Sequence, residues 1–325
     1  MNASGGRTAL KPIIPFEPVR QEIIPTGDQW IYQIKWDGVR ILAYADGNGI
    51  ALYNRKLHER TEHYPELHDI SSYSRTNCFI LDGEIIALAE DGKPSFHEVM
   101  RRDGLRRMER VDQVKKHVPV YYMVFDILYH NGSWVHQRPL HERLKLLGDM
   151  LLPNPVVQQV TPQTDGHALF ELMKQQRMEG IVCKRLDSGY EIAGKNANWV
   201  KVKNYGDIIA AIGGFTLSGN IVNAVLLGLY DKEGRFWYIG HTGTGRLSKP
   251  EWRELTEKLK PHVIRESPFA NKPERHHNVY WVLPTLCAKI MYTEWRLQEG
   301  RSLRQPSIQA FVEKPARECV FPMDM

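Results

Sequence analysis

The stretch Tyr32-Gln33-Ile34-Lys35-Trp36-Asp37-Gly38-Val39-Arg40 puts one lysine where it can act as a nucleophile. Upstream, Trp30 to Ile34 alternate large and polar side chains, as a half-buried strand does. Asp37-Gly38 is a two-residue hairpin signal, and Val39 to Tyr44 read as the returning strand. On this reading Lys35 stands at the lip of a hairpin with Arg40 across the turn. A cationic neighbour lowers an amine's pKa and attracts phosphate, and both favour attack on phosphorus. For a lone K-x-D-G-x-R, an ordinary charged surface hairpin is an equally good reading.

Further pieces follow in a fixed order: Tyr53-Asn54-Arg55, Leu81-Asp82-Gly83-Glu84, Val124-Phe125-Asp126, Glu179-Gly180-Ile181-Val182-Cys183-Lys184 and Trp199-Val200-Lys201-Val202-Lys203. This ordered set resembles the covalent nucleotidyltransferases, specifically the ATP-dependent DNA ligases, and most of all the ligase module of the bacterial ligase-D type. The likeness runs from about Trp30 to the Leu303-Arg304-Gln305-Pro306-Ser307 segment. It implies an α+β architecture: an ATP-grasp-like nucleotidyltransferase domain of antiparallel sheets over residues 1–205, then a β-barrel OB-fold domain over residues 206–325. The pattern of elements agrees. Strands without regular βαβ alternation fill the first part, with helices expected at Leu140–Leu152 and His167–Met178. Beyond Asn204, short strands are expected at Ile208–Phe215, Val222–Tyr230, Arg235–Ile239 and Val279–Leu283, with a helix at Lys249–Leu259.

The resemblance implies that Lys35 attacks the α-phosphate of ATP to form a lysyl-AMP, and that Gln33 stands where relatives carry a glutamate facing the adenine amino group. Glutamine keeps the acceptor oxygen, adds donors and loses the charge. The resemblance further gives Phe125 to adenine stacking, Arg40 and Arg55 to the ribose and phosphates, and Lys184, Lys201 and Lys203 to the α-phosphate. Alternation puts Lys201 and Lys203 on one strand face and Val200 and Val202 on the other. The resemblance implies Glu84, counted with the nucleotide-site residues as well, and Glu179 as the candidate carboxylates for Mg²⁺ or Mn²⁺. Few hard oxygen ligands beside substrate phosphates suit such a cation. Taken singly, each glutamate reads as an exposed Asp-Gly or Glu-Gly turn.

The basic run Arg101-Arg102-Asp103-Gly104-Leu105-Arg106-Arg107 divides evenly between a solvated face and contact with DNA phosphates, through Arg101, Arg102, Arg106 and Arg107. Near the end, Arg304 and Lys314 are the nearest basic counterparts of the family's last motif, which orients pyrophosphate for the first step. His58, His63 and His68 recur every five residues and share no face, which disfavours a metal site. Gly240-His241-Thr242-Gly243-Thr244-Gly245 lacks the G-K-[ST] ending of a P-loop and reads as a tight turn near DNA. His276-His277 has no second ligand pair.

A chain of 325 residues suits two domains on a prior of ~100–200 residues each. Its 42% hydrophobic and 25% charged residues describe an ordinary globular protein. No secretory signal or membrane span is read, and Cys78, Cys183, Cys287 and Cys319 are scattered, so a reduced, cytoplasmic compartment is expected. The net charge of +5 is compatible with nucleic acid without demanding it. The resemblance implies nicked or broken duplex DNA as the partner of a monomer. Ku and a separate polymerase/primase are expected helpers, because no such module and no DNA-encircling domain is read in the chain. An RNA ligase, a GTP-using capping enzyme and an inert DNA-binding scaffold are the alternatives. The joint presence of Lys35, Glu84, Glu179, Lys201 and Lys203 speaks against the scaffold.

Overall fold

The computed structural model describes residues 10–47, 49–243, 247–274, 277–295, 297, 300 and 302–322. The chain divides into two compact units, one ending at Asn204 and the other beginning at Tyr205.

In the first unit the strands are β1 (Glu17–Arg20), β2 (Trp30–Ile34), β3 (Val39–Asp46), β4 (Ile50–Asn54), β5 (Cys78–Ala87), β6 (Val120–His130), β7 (Ser133–Trp134), β8 (Val157–Gln159), β9 (Gly180–Arg185) and β10 (Lys195–Lys203). Helices α1 (Phe96–Asp103), α2 (Val111–Lys115), α3 (Leu140–Met150) and α4 (Gly166–Gln175) fill the connections. A six-stranded sheet runs β4-β3-β5-β6-β7 with β8 beside β6, and a four-stranded sheet runs β1-β10-β9-β2. Pairing is antiparallel except for the short β1–β10 and β6–β8 contacts.

Two Asp-Gly readings are corrected. β2 and β3 form no hairpin: β2 pairs with β9, while β3 pairs with β4 and β5 in the other sheet. A Cβ on Gly38 would lie 2.0 Å from the Ile85 carbonyl oxygen, so the glycine lets the chain cross tightly against β5. Asp82-Gly83 is no turn either but the middle of β5, where a Cβ at residue 83 would strike the Tyr122 ring at 2.5 Å. Pairing on both edges of β5 overrides the local turn preference of these residues.

Strand alternation divides the six-stranded sheet between two cores. Ile41, Leu81, Tyr122 and Val124 pack with Val99 of α1 and Leu147 of α3, while Leu42, Tyr44, Ile80 and Leu128 face Phe16, Tyr190 and Trp199. Helix α3 buries Leu140, Arg143, Leu144, Leu147 and Met150, one stripe at helical spacing. Helix α4 begins at Asp165, whose carboxylate accepts from the Ala168 backbone N–H, and packs Leu169 and Met173 on Ile181, Cys183, Val200 and Val202. That helix covers one face of the four-stranded sheet.

In the second unit, β11 (Gly206–Ser218), β12 (Ile221–Tyr230), β13 (Phe236–Thr242), β14 (Val263–Ile264), β15 (Tyr280–Val282), β16 (Cys287–Tyr292) and β17 (Ser307–Val312) form one seven-stranded sheet. Strand β11 takes β12 on one edge; β16 and then β15 share the other. A strand that changes partners along its length curls the sheet on itself. Helix α5 (Lys249–Leu259) buries Trp252, Leu255 and Leu259 against this curl, and Glu251 caps its start by accepting from the Ser248 N–H at 2.7 Å.

Candidate active site

The face of the four-stranded sheet turned away from α4 gathers most of the expected residues. Three cross-strand rows build it. Ile31, Lys184 and Trp199 form one, and Gln33, Val182 and Lys201 the next. The third joins Lys35, whose N–H donates to the Gly180 carbonyl at 2.9 Å, to Gly180 and Lys203. Because side chains alternate, Val200 and Val202 lie in the core behind. Gly180 has a φ of +127°, and a Cβ on it would meet the Val202 carbonyl oxygen at 2.2 Å. Glycine therefore allows β9 to leave Glu179 at the lip of the face.

Glu179 joins two lysines, with Oε2 2.6 Å from Lys35 Nζ and Oε1 2.9 Å from Lys203 Nζ. Burial and the charges of Lys35 and Lys203 draw the Lys201 ammonium below its ordinary pKa. Lys184 is 2% exposed. Its Nζ lies 3.8 Å from the Trp199 ring centroid and 4.3 Å from that of Phe125, and it donates to the Phe125 carbonyl. Burial brings this amine down to about 7.

Across from these stand residues of the six-stranded sheet. Glu84 is half-buried on β5, and burial lifts its carboxyl to about 7 against the opposing pull of Lys35 and Arg40. Phe125 meets Trp199 edge-on at 6.0 Å. Gln33 is 2% exposed; its Nε2 donates to the Val160 carbonyl at 3.1 Å, while its Oε1 is a buried acceptor with no partner. That donor contact fixes which way the amide points.

Arg40 is not set across a turn from Lys35. Its Nε and Nη2 grip Asp82 at 2.9 and 2.6 Å, and Nη1 donates to the Phe16 carbonyl. Arg55 is exposed and 3.1 Å from Glu17. Of the basic run, Arg102 is corrected outright: it is fully buried, forks onto Glu66, donates to the His63 and Val118 carbonyls, and has no surface to offer DNA. Its place on the inner side of α1 explains this. Arg101 is exposed beside Glu98, and Arg106 and Arg107 are exposed. In the second unit, burial lowers Arg304 to about 10, with Glu294 3.7 Å away, and Lys314 lies 4.0 Å from Glu318. Thr244, Gly245 and His276, from two of the motifs set aside above, lie outside the described residues. Sequence reasoning missed the pairing of Asp82 with Tyr190, 108 residues apart, and of Asp126 with Arg143, 17 apart, since neither spacing follows a helix or strand period. Among the described residues no helix is long and apolar enough to cross a membrane.

The donor set can be tested against the group it is meant to hold. A buried, unpartnered acceptor suits an amino group, clustered lysines suit phosphates, and two carboxylates in one cleft suit a divalent cation that keeps its other ligands from substrate and water. Gln33 and the lysines fit a nucleotide as they stand, whereas Glu179 would have to exchange a lysine for the cation.

Comparison with known proteins agrees. The model for the ATP dependent DNA ligase domain matches residues 15–203, and that for the ATP dependent DNA ligase C terminal region matches residues 218–313. The chain therefore belongs to the ATP-dependent DNA ligase family and is an enzyme of that class. It is 31% identical over 86% of its length to the multifunctional non-homologous end joining protein LigD of Mycolicibacterium smegmatis, of which it spans 35%. It is 29% identical over 97% of its length to the LigD of Pseudomonas aeruginosa, of which it spans 37%. A solved mycobacterial DNA ligase D complexed with ATP and MES covers 95% of the chain, and the chain covers 98% of it, at 29% identity and a TM-score of 0.54. The ligase domain of Mycobacterium tuberculosis LigD covers 95% of the chain at 28% identity and a TM-score of 0.52, with 98% of that domain covered. The fold is thus a nucleotidyltransferase domain followed by an OB-fold, as the sequence motifs imply.

Proposed function

We propose that the chain seals breaks in duplex DNA bearing a 5′-phosphate and a 3′-hydroxyl, through AMP carried on Lys35. The observation that carries this is the single face on which the Lys35 amine, Glu179, Lys201 and Lys203 meet beside the open acceptor of Gln33. In the first step Lys35 gives up a proton to solvent, its Nζ lone pair forms a bond to the α-phosphorus of ATP, and a second amine proton leaves to solvent as the phosphoramidate forms. The bond to the β-bridging oxygen breaks, and pyrophosphate leaves with that electron pair. An oxygen of the DNA 5′-phosphate then attacks the same phosphorus, the N–P bond breaks and the amine is restored. Attack by the 3′-hydroxyl on the activated 5′-phosphate closes the strand and releases AMP.

Each neighbour has a physical task. Gln33 Oε1 accepts from the adenine amino group; guanine would present a carbonyl oxygen there, acceptor against acceptor. Phe125 supplies a ring for the base. Lys184, Lys201 and Lys203 face the α-phosphate and offset the charge that grows on it in the transition state. Arg40, and Arg55 from the loop after β4, reach the ribose and phosphates. Glu84 and Glu179 would hold Mg²⁺ or Mn²⁺, which supplies charge neutralisation at the phosphates. The division into catalytic residues 1–205 and an OB domain of residues 206–325 follows the same reading, with Arg304 and Lys314 as the basic groups for pyrophosphate.

DNA is gripped through its phosphates, with Arg101, Arg106 and Arg107 available at the surface, so binding weakens with salt. The likeness to non-homologous end joining proteins supports a role in end joining, for which we propose a cytoplasmic setting with Ku and a separate polymerase/primase as helpers. Normal sealing of broken ends with no effect and no binding of Ku would remove that part. The decisive test is transfer of label from α-labelled ATP to the protein with a divalent cation present. The native chain becomes labelled, Lys35→Ala does not, and labelled GTP is a poor donor. Equal labelling of the alanine variant would overturn the reading.

A further inference from the structure

The hydroxyl of Tyr190 has all its hydrogen-bonding capacity in use. It donates to Asp82 Oδ2 at 2.7 Å and accepts from the Phe16 N–H at 2.9 Å and from Arg40 Nη2 at 3.2 Å. One donor and two acceptor positions are what a phenol possesses. The residue lies between β9 and β10, is 2% exposed, and is fixed at its backbone: its N–H donates to the His136 carbonyl at 2.6 Å, and His136 Nδ1 meets its carbonyl at 3.1 Å. The ring stands edge-on to Trp199 at 5.6 Å. Asp82 is fully buried and takes both the fork of Arg40 and this hydroxyl.

Three stretches of chain thus converge on the guanidinium carried by β3: the approach to β1, strand β5 and the β9–β10 connection. Strand β5 belongs with β3 to the six-stranded sheet, and the other two stretches lead into or connect strands of the four-stranded sheet. Arginine has five N–H groups. The described contacts occupy Nε, one proton of Nη1 and both of Nη2, so one Nη1 proton has no acceptor among them. The geometry points to Tyr190 as a positioning residue that, with Asp82, holds Arg40 in one rotamer aimed at the nucleotide. This rests on the reading of Arg40 as a nucleotide-gripping residue. A tyrosine serving packing alone would need none of these bonds, and phenylalanine would replace it.

The experiment uses the full chain and measures protein adenylylation against ATP concentration for Tyr190→Phe, Arg40→Lys and the double variant. Losing a bond to a charged group corresponds to roughly tenfold weaker ATP. Tyr190→Phe is expected to raise half-saturating ATP by about that factor, with the maximal rate within ~3-fold of the native chain. In the Arg40→Lys background the same change is expected to add less than ~2-fold, because the two residues act as one unit. Unchanged half-saturation in Tyr190→Phe, or effects that multiply in full in the double variant, overturns the clamp. If Arg40→Lys by itself leaves ATP use untouched, the underlying reading of Arg40 fails; if Arg40→Lys is impaired and Tyr190→Phe is not, the clamp alone fails. Should Tyr190→Phe fold poorly, Asp82→Asn is the second variant. It keeps shape and is expected to shift half-saturating ATP in the same direction, and no shift there overturns the clamp.

Discussion

Replacing Lys184 with methionine is expected to stabilise the protein while impairing its reaction with ATP. The amine is 2% exposed and rests on the rings of Trp199 and Phe125. Burial brings its pKa from 10.5 to about 7. At ~1.36 kcal/mol per decade of proton affinity, that displacement corresponds to at most about 5 kcal/mol of cost to the charged form. The sign follows from counting protons. Between about pH 7 and pH 10.5 the unfolded chain holds a proton on this amine and the folded chain does not, so Lys184 makes stability rise with pH across that window. The cost stands in full below pH 7 and fades towards pH 10.5. Methionine has similar length, carries no charge and keeps contact with both rings. The variant should therefore gain about 2–5 kcal/mol near pH 6, and distinctly less near pH 9. Urea unfolding followed by tryptophan fluorescence at several pH values reads this directly, with the native chain as reference. A loss of stability near pH 6, or a gain that grows with pH, would show that the buried ammonium is not the burden inferred from its surroundings. The same variant should label poorly with ATP, which would make Lys184 a residue kept for function against its stability cost.

Arg102→Met breaks a buried fork onto Glu66 and strands two carbonyls, so it should cost about 3–5 kcal/mol in denaturant melts, with the salt dependence of DNA binding unaltered. Arg106→Ala and Arg107→Ala should do the reverse: stability within about 0.5 kcal/mol of native, and each lowering the slope of log K against log salt by about 1 in a binding titration. Gly180→Ala forces a side chain into a +127° φ and against the Val202 carbonyl. A loss of more than about 2 kcal/mol is expected, with adenylylation falling too, because Glu179 follows the displaced strand; near-native melting would contradict the close approach.

The parts legible in sequence were those encoded locally. Trp199-Val200-Lys201-Val202-Lys203 shows by alternation which lysines face the cleft and which valines face α4, and the structure places them so. Asp165-Gly166 announced α4, and Lys249 to Leu259 form α5 as read. Misreadings came where a local signal competes with distant pairing. Asp37-Gly38 and Asp82-Gly83 carry turn chemistry, yet both lie against β-structure whose partners are remote. A run of arginines shows charge but not side, so Arg102 looked like its neighbours although it points inward. Tyr190 and Asp82 are 108 residues apart and carry no spacing that links them. Arg143 and Asp126, both fully buried and forked together, are equally silent until the fold brings them together.

The rings beneath the cleft are set like interlocked plates. Phe16 and Tyr190 meet Trp199 at 87° and 88°, and Phe125 meets it at 77°. Each ring braces the next edge-on, so the seats on which Arg40 and Lys184 rest are aligned by packing as well as by hydrogen bonds, and packing is a restraint that a competing solvent molecule cannot replace.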